Sequence, residues 1–281
     1  MPEIASAEDP LDLSLSEAEL EELRTHITTF IQRQREQAGA SIGVVAISGG
    51  IDSSLTAHLA VEALGTAHVY GIIMPSSVNR NRNMSDAERV AGELLDIEYD
   101  VIEIDHIVKT MLDEDPHSAR EDIIDEGAQL AVGNLRARIR AVLSYFEANL
   151  QGGFVLGTGN RSEAAVGYFT KYGDGAVDCH PIATLYKSQV RQLARHVGVP
   201  EDLVVKTPTA ELWDDQTDEA EFGMDYDTLD SILALHIDGP LSVSATAKQI
   251  GVDEGVVMDV RDMYEASAHK RQVPPGPEPL W

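Results

Sequence analysis

Apolar and polar residues fall in blocks along this chain, and the blocks predict an ordered series of elements. Residues 16–36 place Leu20, Leu23, Ile27 and Ile31 at helical spacing, with Ser14 or Ser16 available to cap the start. Residues 42–47 are a short, β-branched apolar run that ends in Ser48-Gly49-Gly50, and a helical stretch follows over residues 53–64. A second apolar run covers 68–74, a helix 85–95, and a third strand 99–104. Residues 128–150 read as a long helix, Phe154-Val155-Leu156 as a fourth buried strand, and 187–197 as a helix closed by Gly198 and Pro200.

Strands that alternate with helices predict parallel β-α-β units. The expected fold class is therefore α/β, a parallel twisted sheet with helices on both faces. Ligands of such sheets sit at the carboxyl ends of the strands, which directs attention to the residues after Ile47, Ile73, Ile104 and Leu156. Residues 76–83 and 201–226 are long and polar, as substrate-covering loops are, and 274–281 form a Pro-rich tail. The organisation expected is one domain over 1–281: an N-terminal helical segment (1–40), an α/β body (41–273) and that tail (274–281).

Composition narrows the function. The 281 residues are 43% hydrophobic, enough for a sizeable core. The formal net charge is −27, a surface that repels phosphate backbones and anionic lipid, so neither nucleic acid nor a membrane is an expected partner. One cysteine, Cys179, excludes an intrachain disulfide and Cys-rich zinc sites; it reads as a small buried residue. The acidic start lacks the order of a signal peptide, and no apolar run reaches a bilayer's span, so a cytoplasmic location is expected. The basic residues are 15 Arg and only 6 Lys, a balance expected of a halophilic protein's surface. Four of those lysines (171, 187, 206 and 270) lie in the motifs below, where a lysine-poor chain has reason to keep them.

Ser48-Gly49-Gly50-Ile51-Asp52-Ser53-Ser54 lies between a strand and a helix. Its glycines let backbone approach a ligand closely, and the helix start offers free N–H groups to an anion. Asp52 among phosphate donors is either a ligand of a Mg²⁺ shared with the phosphates or a helix cap. Neither a G-x-x-x-x-G-K-[ST] loop nor a full dinucleotide fingerprint is present. The segment instead resembles the pyrophosphate-binding loop of ATP pyrophosphatases, which split ATP into AMP and pyrophosphate.

Further motifs accompany it: Gly133-Asn134-Leu135-Arg136-Ala137-Arg138, Gly157-Thr158-Gly159-Asn160-Arg161-Ser162-Glu163, and residues 167–175 with Asp178. Leu185-Tyr186-Lys187-Ser188, the run 206–213, Gln216-Thr217-Asp218-Glu219 and His269-Lys270-Arg271 complete the set. Together they resemble the ammonia-dependent NAD⁺ synthetases, in register from about residue 41 to 273. The resemblance implies an adenine-nucleotide α-hydrolase-like fold and an ATP-dependent ligase that amidates deamido-NAD⁺ with ammonia through an adenylate. It implies that Ala46, Ile47, Ser48, Gly49, Gly50, Ile51, Asp52 and Ser53 bind ATP, as do Thr158, Lys187 and Thr209. Asp52 and Glu163 would hold Mg²⁺, and Arg138, Lys171, Asp178, His269 and Lys270 would bind deamido-NAD⁺. Asp52, Lys187 and Asp178 are the catalytic candidates, Asp178 for ammonium, and a homodimer is implied.

Residues 74–86 match the family pattern poorly, so no adenine contacts are carried over there. The chain length leaves no room for a glutamine-hydrolysing domain, which makes ammonia the expected nitrogen donor. Two other readings compete. A tRNA-thiolating or GMP-amidating relative shares the loop, but thiolation needs more cysteines and a basic RNA face. A nucleotide-binding sensor would need neither Glu163 nor Lys187 beside the loop.

Overall fold

The computed structural model describes residues 4–76, 80–115, 126–209 and 216–279. Four parallel strands, β1 (Ile42–Ala46), β2 (Val69–Ile73), β3 (Glu98–Val101) and β4 (Gly153–Leu156), form one sheet in the order β3-β2-β1-β4. The chain leaves β1 toward β2 on one side and returns to β4 on the other. The carboxyl ends of β1 and β4 therefore flank a crevice at the point where the winding reverses.

Both faces are covered, as the uninterrupted apolar strands require. Helices α1 (Glu17–Ala38), α2 (Ile51–Leu64) and α7 (Lys187–His196) pack on one face, over Val45, Ile47, Phe154 and Leu156. Helices α4 (Asp105–Glu114) and α5 (Glu126–Gln151) cover the other, over Val44, Ile72 and Val155. The alternation of Val44 and Val45 between faces is the strand period of two. Ser16 caps α1 in a capping box with Glu19, as the serine-rich start predicts.

A third apolar cluster joins α6 (Arg161–Val166) to four C-terminal helices: α9 (Asp218–Phe222), α10 (Tyr226–Ile232), α11 (Val243–Ile250) and α12 (Glu254–Ala266). Tyr226, wholly buried, is its largest side chain, with Phe222 edge-on against it.

Three local expectations differ from the structure. The helix expected over 85–95 is α3 (Arg80–Glu88), continued by a π-helical turn, Arg89–Leu94, before the chain kinks into β3. Its early residues are polar, so periodicity alone did not signal them. The loop expected over 201–226 contains the short helices α8 (Glu201–Val204) and α9. Helix α4 went unread because its apolar face is only Ile107, Val108 and Leu112. Residues 77–79 and 210–215 of the two expected loops, and 280–281 of the tail, lie outside the described residues.

Candidate active site

The crevice opens into a cavity of about 500 Å³, a size typical of small-molecule sites. Its floor is the loop after β1. Gly49 sits at φ +78°, a left-handed position that suits glycine. The loop is braced from within: Ser48 N–H donates to Ser53 Oγ (3.2 Å), and the Ser53 and Ser54 hydroxyls donate to the Gly50 carbonyl (3.0 and 2.8 Å). Gly50 caps α2 and has no side chain to satisfy the first N–H groups, so the helix start faces the cavity with unspent donors. Asp52 is thus one residue inside the helix and is not its cap.

The Asp52 carboxylate points across the crevice. It accepts from Asn160 Nδ2 (2.8 Å) and from Lys187 Nζ (2.5 Å). Glu163 Oε1 accepts from the same Lys187 nitrogen at 3.0 Å. Asn160 also caps α6, accepting from Glu163 N–H (3.0 Å), so one side chain ties the Asp52 carboxylate to the backbone at Glu163. Lys187 is 2% exposed. Burial opposes its charge, but Asp52 and Glu163 outweigh burial and hold its pKa above the ordinary lysine value. Burial pushes the Glu163 carboxyl up to about 7; Lys187 opposes that rise, and Asp52 and Asp218 add to it. Beneath Lys187, Asp230 accepts from Ser188 N–H (2.8 Å) and Ser162 Oγ (2.5 Å), and Ser162 accepts from Lys187 N–H (2.9 Å). The start of α7 is thereby pinned.

Other positions predicted from the sequence also reach the cavity: Ala46, Ile47, Ser48, Gly50, Ile51, Ser53, Thr158, Thr209 and Lys270 line it. Gly49 meets it through its carbonyl, 3.2 Å from the lining Lys206 Nζ. A Cβ on Gly157 would stand 2.5 Å from His180 Nδ1, so only glycine lets Thr158 be presented this way. Lys270 Nζ is held by the carbonyls of Gly167 (2.7 Å) and Phe169 (3.0 Å).

Arg138, Lys171 and His269 do not line the cavity. They form a chain on its outer wall, where Arg138 Nη2 donates to the Lys171 carbonyl (3.2 Å) and Lys171 Nζ to the His269 carbonyl (2.8 Å). Asp178 is not brought to them or to Lys187. Its carboxylate accepts from Val155 N–H (2.7 Å) and Tyr145 Oη (3.2 Å), and it borders a separate shallow cleft with Gln34 and Asn149. Beside it Cys179 is buried, its thiol pushed up to about 12 by that burial and by Asp178, so it remains protonated.

Sequence reasoning missed three supporting residues, Asn160, Asp218 and Asp230, and left Lys206 as a motif lysine without a role. Asn160 was visible only as a motif letter, and Asp230 gave no signal, being 43 positions from Lys187. Asp218, 3% exposed and bonded by Tyr226 Oη (2.8 Å), and Lys206 both line the cavity. For these two the signal was their place in quoted motifs.

A parallel α/β sheet, a glycine-serine loop under a helix start and a buried Lys–carboxylate triad define a nucleotide-binding enzyme of the pyrophosphatase-loop class. The chain belongs to the NAD synthase family, whose model matches residues 23–274. It is 58% identical over 268 residues to the NH(3)-dependent NAD(+) synthetase of Halobacterium salinarum, covering 95% of this chain and 97% of that protein. Among solved structures it resembles the NMN synthetase of Francisella tularensis, with TM-score 0.79, 31% identity, and coverage of 94% of this chain and 99% of that one. It also resembles the NH3-dependent NAD synthetase of Campylobacter jejuni in complex with the nitrate ion, with TM-score 0.75, 27% identity, and coverage of 94% and 100%.

Proposed function

We propose that the cavity carries out this family's reaction, the ATP-dependent amidation of deamido-NAD⁺ to NAD⁺, in two steps. The nicotinate carboxylate first attacks the α-phosphate of ATP and releases pyrophosphate. Ammonia then attacks the adenylated carboxyl, and AMP leaves. The observation that carries this reading is the convergence of Asp52 and Glu163 on Lys187 beside the uncapped start of α2. Attack of one anion on another crowds negative charge at phosphorus, and fixed positive groups are most effective where that charge develops. The Lys187 ammonium is held by Asp52 and Glu163 and its backbone N–H by Ser162 Oγ, and Thr158 and Thr209 add cavity-lining hydroxyls.

The residues fit Mg²⁺. Two carboxylates meeting at one nitrogen, one with a raised pKa from burial, suit a hard divalent cation. No cluster of three or more His, Cys, Asp or Glu occurs among the described residues, which fits an ion that takes its remaining ligands from phosphate and water. Asp52 and Glu163 would hold it, and bound there it would neutralise phosphate oxygens.

Lys270 lies at the cavity and Arg138, Lys171 and His269 just outside, which supports a dinucleotide extending over that wall. The chain acts as a homodimer in this reading, for which α5 offers a face: Val142, Phe146 and Leu150, one helical turn apart, are 68%, 56% and 65% exposed. Asp178, which stands apart from Lys187, would handle ammonium there. No described helix is long and apolar enough to cross a membrane, and the location we propose is the cytoplasm.

The deciding assay supplies ATP, Mg²⁺, ammonium and deamido-NAD⁺, with the mononucleotide acid as a second acceptor because the Francisella relative is named for NMN. NAD⁺, AMP and pyrophosphate are the expected products; ADP and phosphate would refute the reading. Run from about 0.1 to 3 M KCl, where the Debye length falls from about 10 Å to below 3 Å, the same assay should show activity rising with salt. A net charge of −27 and the likeness to a Halobacterium protein support that halophilic reading.

A further inference from the structure

Two ion pairs tie the helical stretch after β2 to the segment after α7. Asp86 Oδ2 meets Lys206 Nζ at 2.6 Å, and Arg89 Nη1 meets Asp202 Oδ2 at 2.6 Å. The first stands at the cavity, with Lys206 and the α3 residues Met84 and Ala87 in its lining. Lys206 Nζ also donates to the Gly49 carbonyl at 3.2 Å, so its charge lies within the turn of the phosphate loop.

The other lysines of the cavity are differently placed. Lys187 already faces two carboxylates, and Lys270 is held by the carbonyls of Gly167 and Phe169. Lys206 meets the Asp86 carboxylate, and each partner keeps about a quarter of its side chain in solvent (24% and 25%). A carboxylate offers this ammonium one negative charge, whereas adjacent phosphates offer several, and the attraction grows with the charge. A polyanion on the loop would compete with Asp86 for this ammonium, which already lies against the loop at the Gly49 carbonyl.

We propose that Lys206 is a second phosphate-binding cation of this site, exchanging its ion pair with Asp86 for the β- and γ-phosphates of ATP and remaining with them as pyrophosphate. Asp86 is a positioning residue that keeps the ammonium over the loop while the site is empty. The inference rests on reading the cavity as the ATP site, and it goes beyond that reading by assigning a residue that the motif comparison left without a role.

Inorganic pyrophosphate, titrated calorimetrically at fixed Mg²⁺ without the second substrate, is the probe. Lys206→Met should weaken its binding about tenfold or more, while AMP affinity stays at the wild-type value and reports an intact fold. Lys206→Arg should restore most of the loss. Asp86→Asn should tighten pyrophosphate several-fold, and that gain should vanish in Asp86→Asn/Lys206→Met. Equal pyrophosphate affinity in Lys206→Met and wild type overturns the proposal, as does a gain from Asp86→Asn that persists without Lys206. A wild-type protein that binds neither ATP nor pyrophosphate would instead refute the ATP reading of the cavity itself.

Discussion

The floor of the cavity and its outer wall use positive charge in opposite ways. At the floor, Lys187 is buried and saturated by Asp52 and Glu163, in a frame set by Asn160 and Asp230. On the wall, Arg138 and Lys171 spend their donors on backbone carbonyls and are not paired with a carboxylate in any described contact. A buried pair trades desolvation for geometry: it costs stability to assemble and cannot be adjusted cheaply. Cations resting on carbonyls keep their full charge for an incoming anion. The floor therefore holds its charge in a fixed position, and on our proposal the wall would attract the dinucleotide.

The sharpest way to break this contrast is at the carboxylates. Asp52→Asn and Glu163→Gln should each lower pyrophosphate release by roughly 10²–10³-fold, the scale of losing one preorganised electrostatic contact. Thermal unfolding measured in parallel should show both variants folded. Full activity in either would remove that residue from the floor.

Next comes a matched pair of cation deletions. Lys187→Met should cut kcat more than it raises KM for ATP, because its charge matters most as the α-phosphate becomes five-coordinate. It should also destabilise the fold by about 3–5 kcal/mol, since two buried carboxylates lose their partner. Glu163→Gln in that background should recover part of the loss. Arg138→Ala should instead raise KM for deamido-NAD⁺ about tenfold and leave stability within about 0.5 kcal/mol. If Arg138→Ala destabilises as much as Lys187→Met, the two regions are not different in kind.

The smallest effect concerns His180, which packs against Gly157 beneath Thr158. Burial lowers its pKa from the usual 6.5, partly offset by a bond to the Gly175 carbonyl. The folded protein thus holds the ring neutral while the unfolded chain binds a proton below about 6.5. That contribution to stability is present above this pH and is lost as pH falls through it. Melting temperature should drop between pH 7.5 and 5.5 in the wild type, and His180→Leu should flatten the drop. An unchanged slope would show that this histidine is not the group responsible.

Legibility in the sequence followed how local each signal was. The four strands and their flanking long helices were readable because apolar period and capping act within a few residues, as at Ser16–Glu19. Helix α4 was not, since its apolar face is narrow, and neither was the early turn of α3, whose residues are polar in the sequence. The phosphate loop was legible as a continuous run of residues. Asp52 was ambiguous between cap and ligand until the helix start was fixed at Gly50–Ile51.

By itself, then, the sequence determined the α/β order, the acidic surface and the glycine-serine loop between β1 and α2, because these depend on neighbours along the chain or on summed charge. Only the tertiary structure decided that Lys187 joins two carboxylates 111 positions apart, that Asn160 ties Asp52 to the start of α6, and that Arg138 and Asp178 stand elsewhere. Those facts depend on β4 returning beside β1, with α7 packed under the crevice. Distance along the chain carries no information about that closure; it is set by the sheet order, and by which faces must be buried to satisfy it.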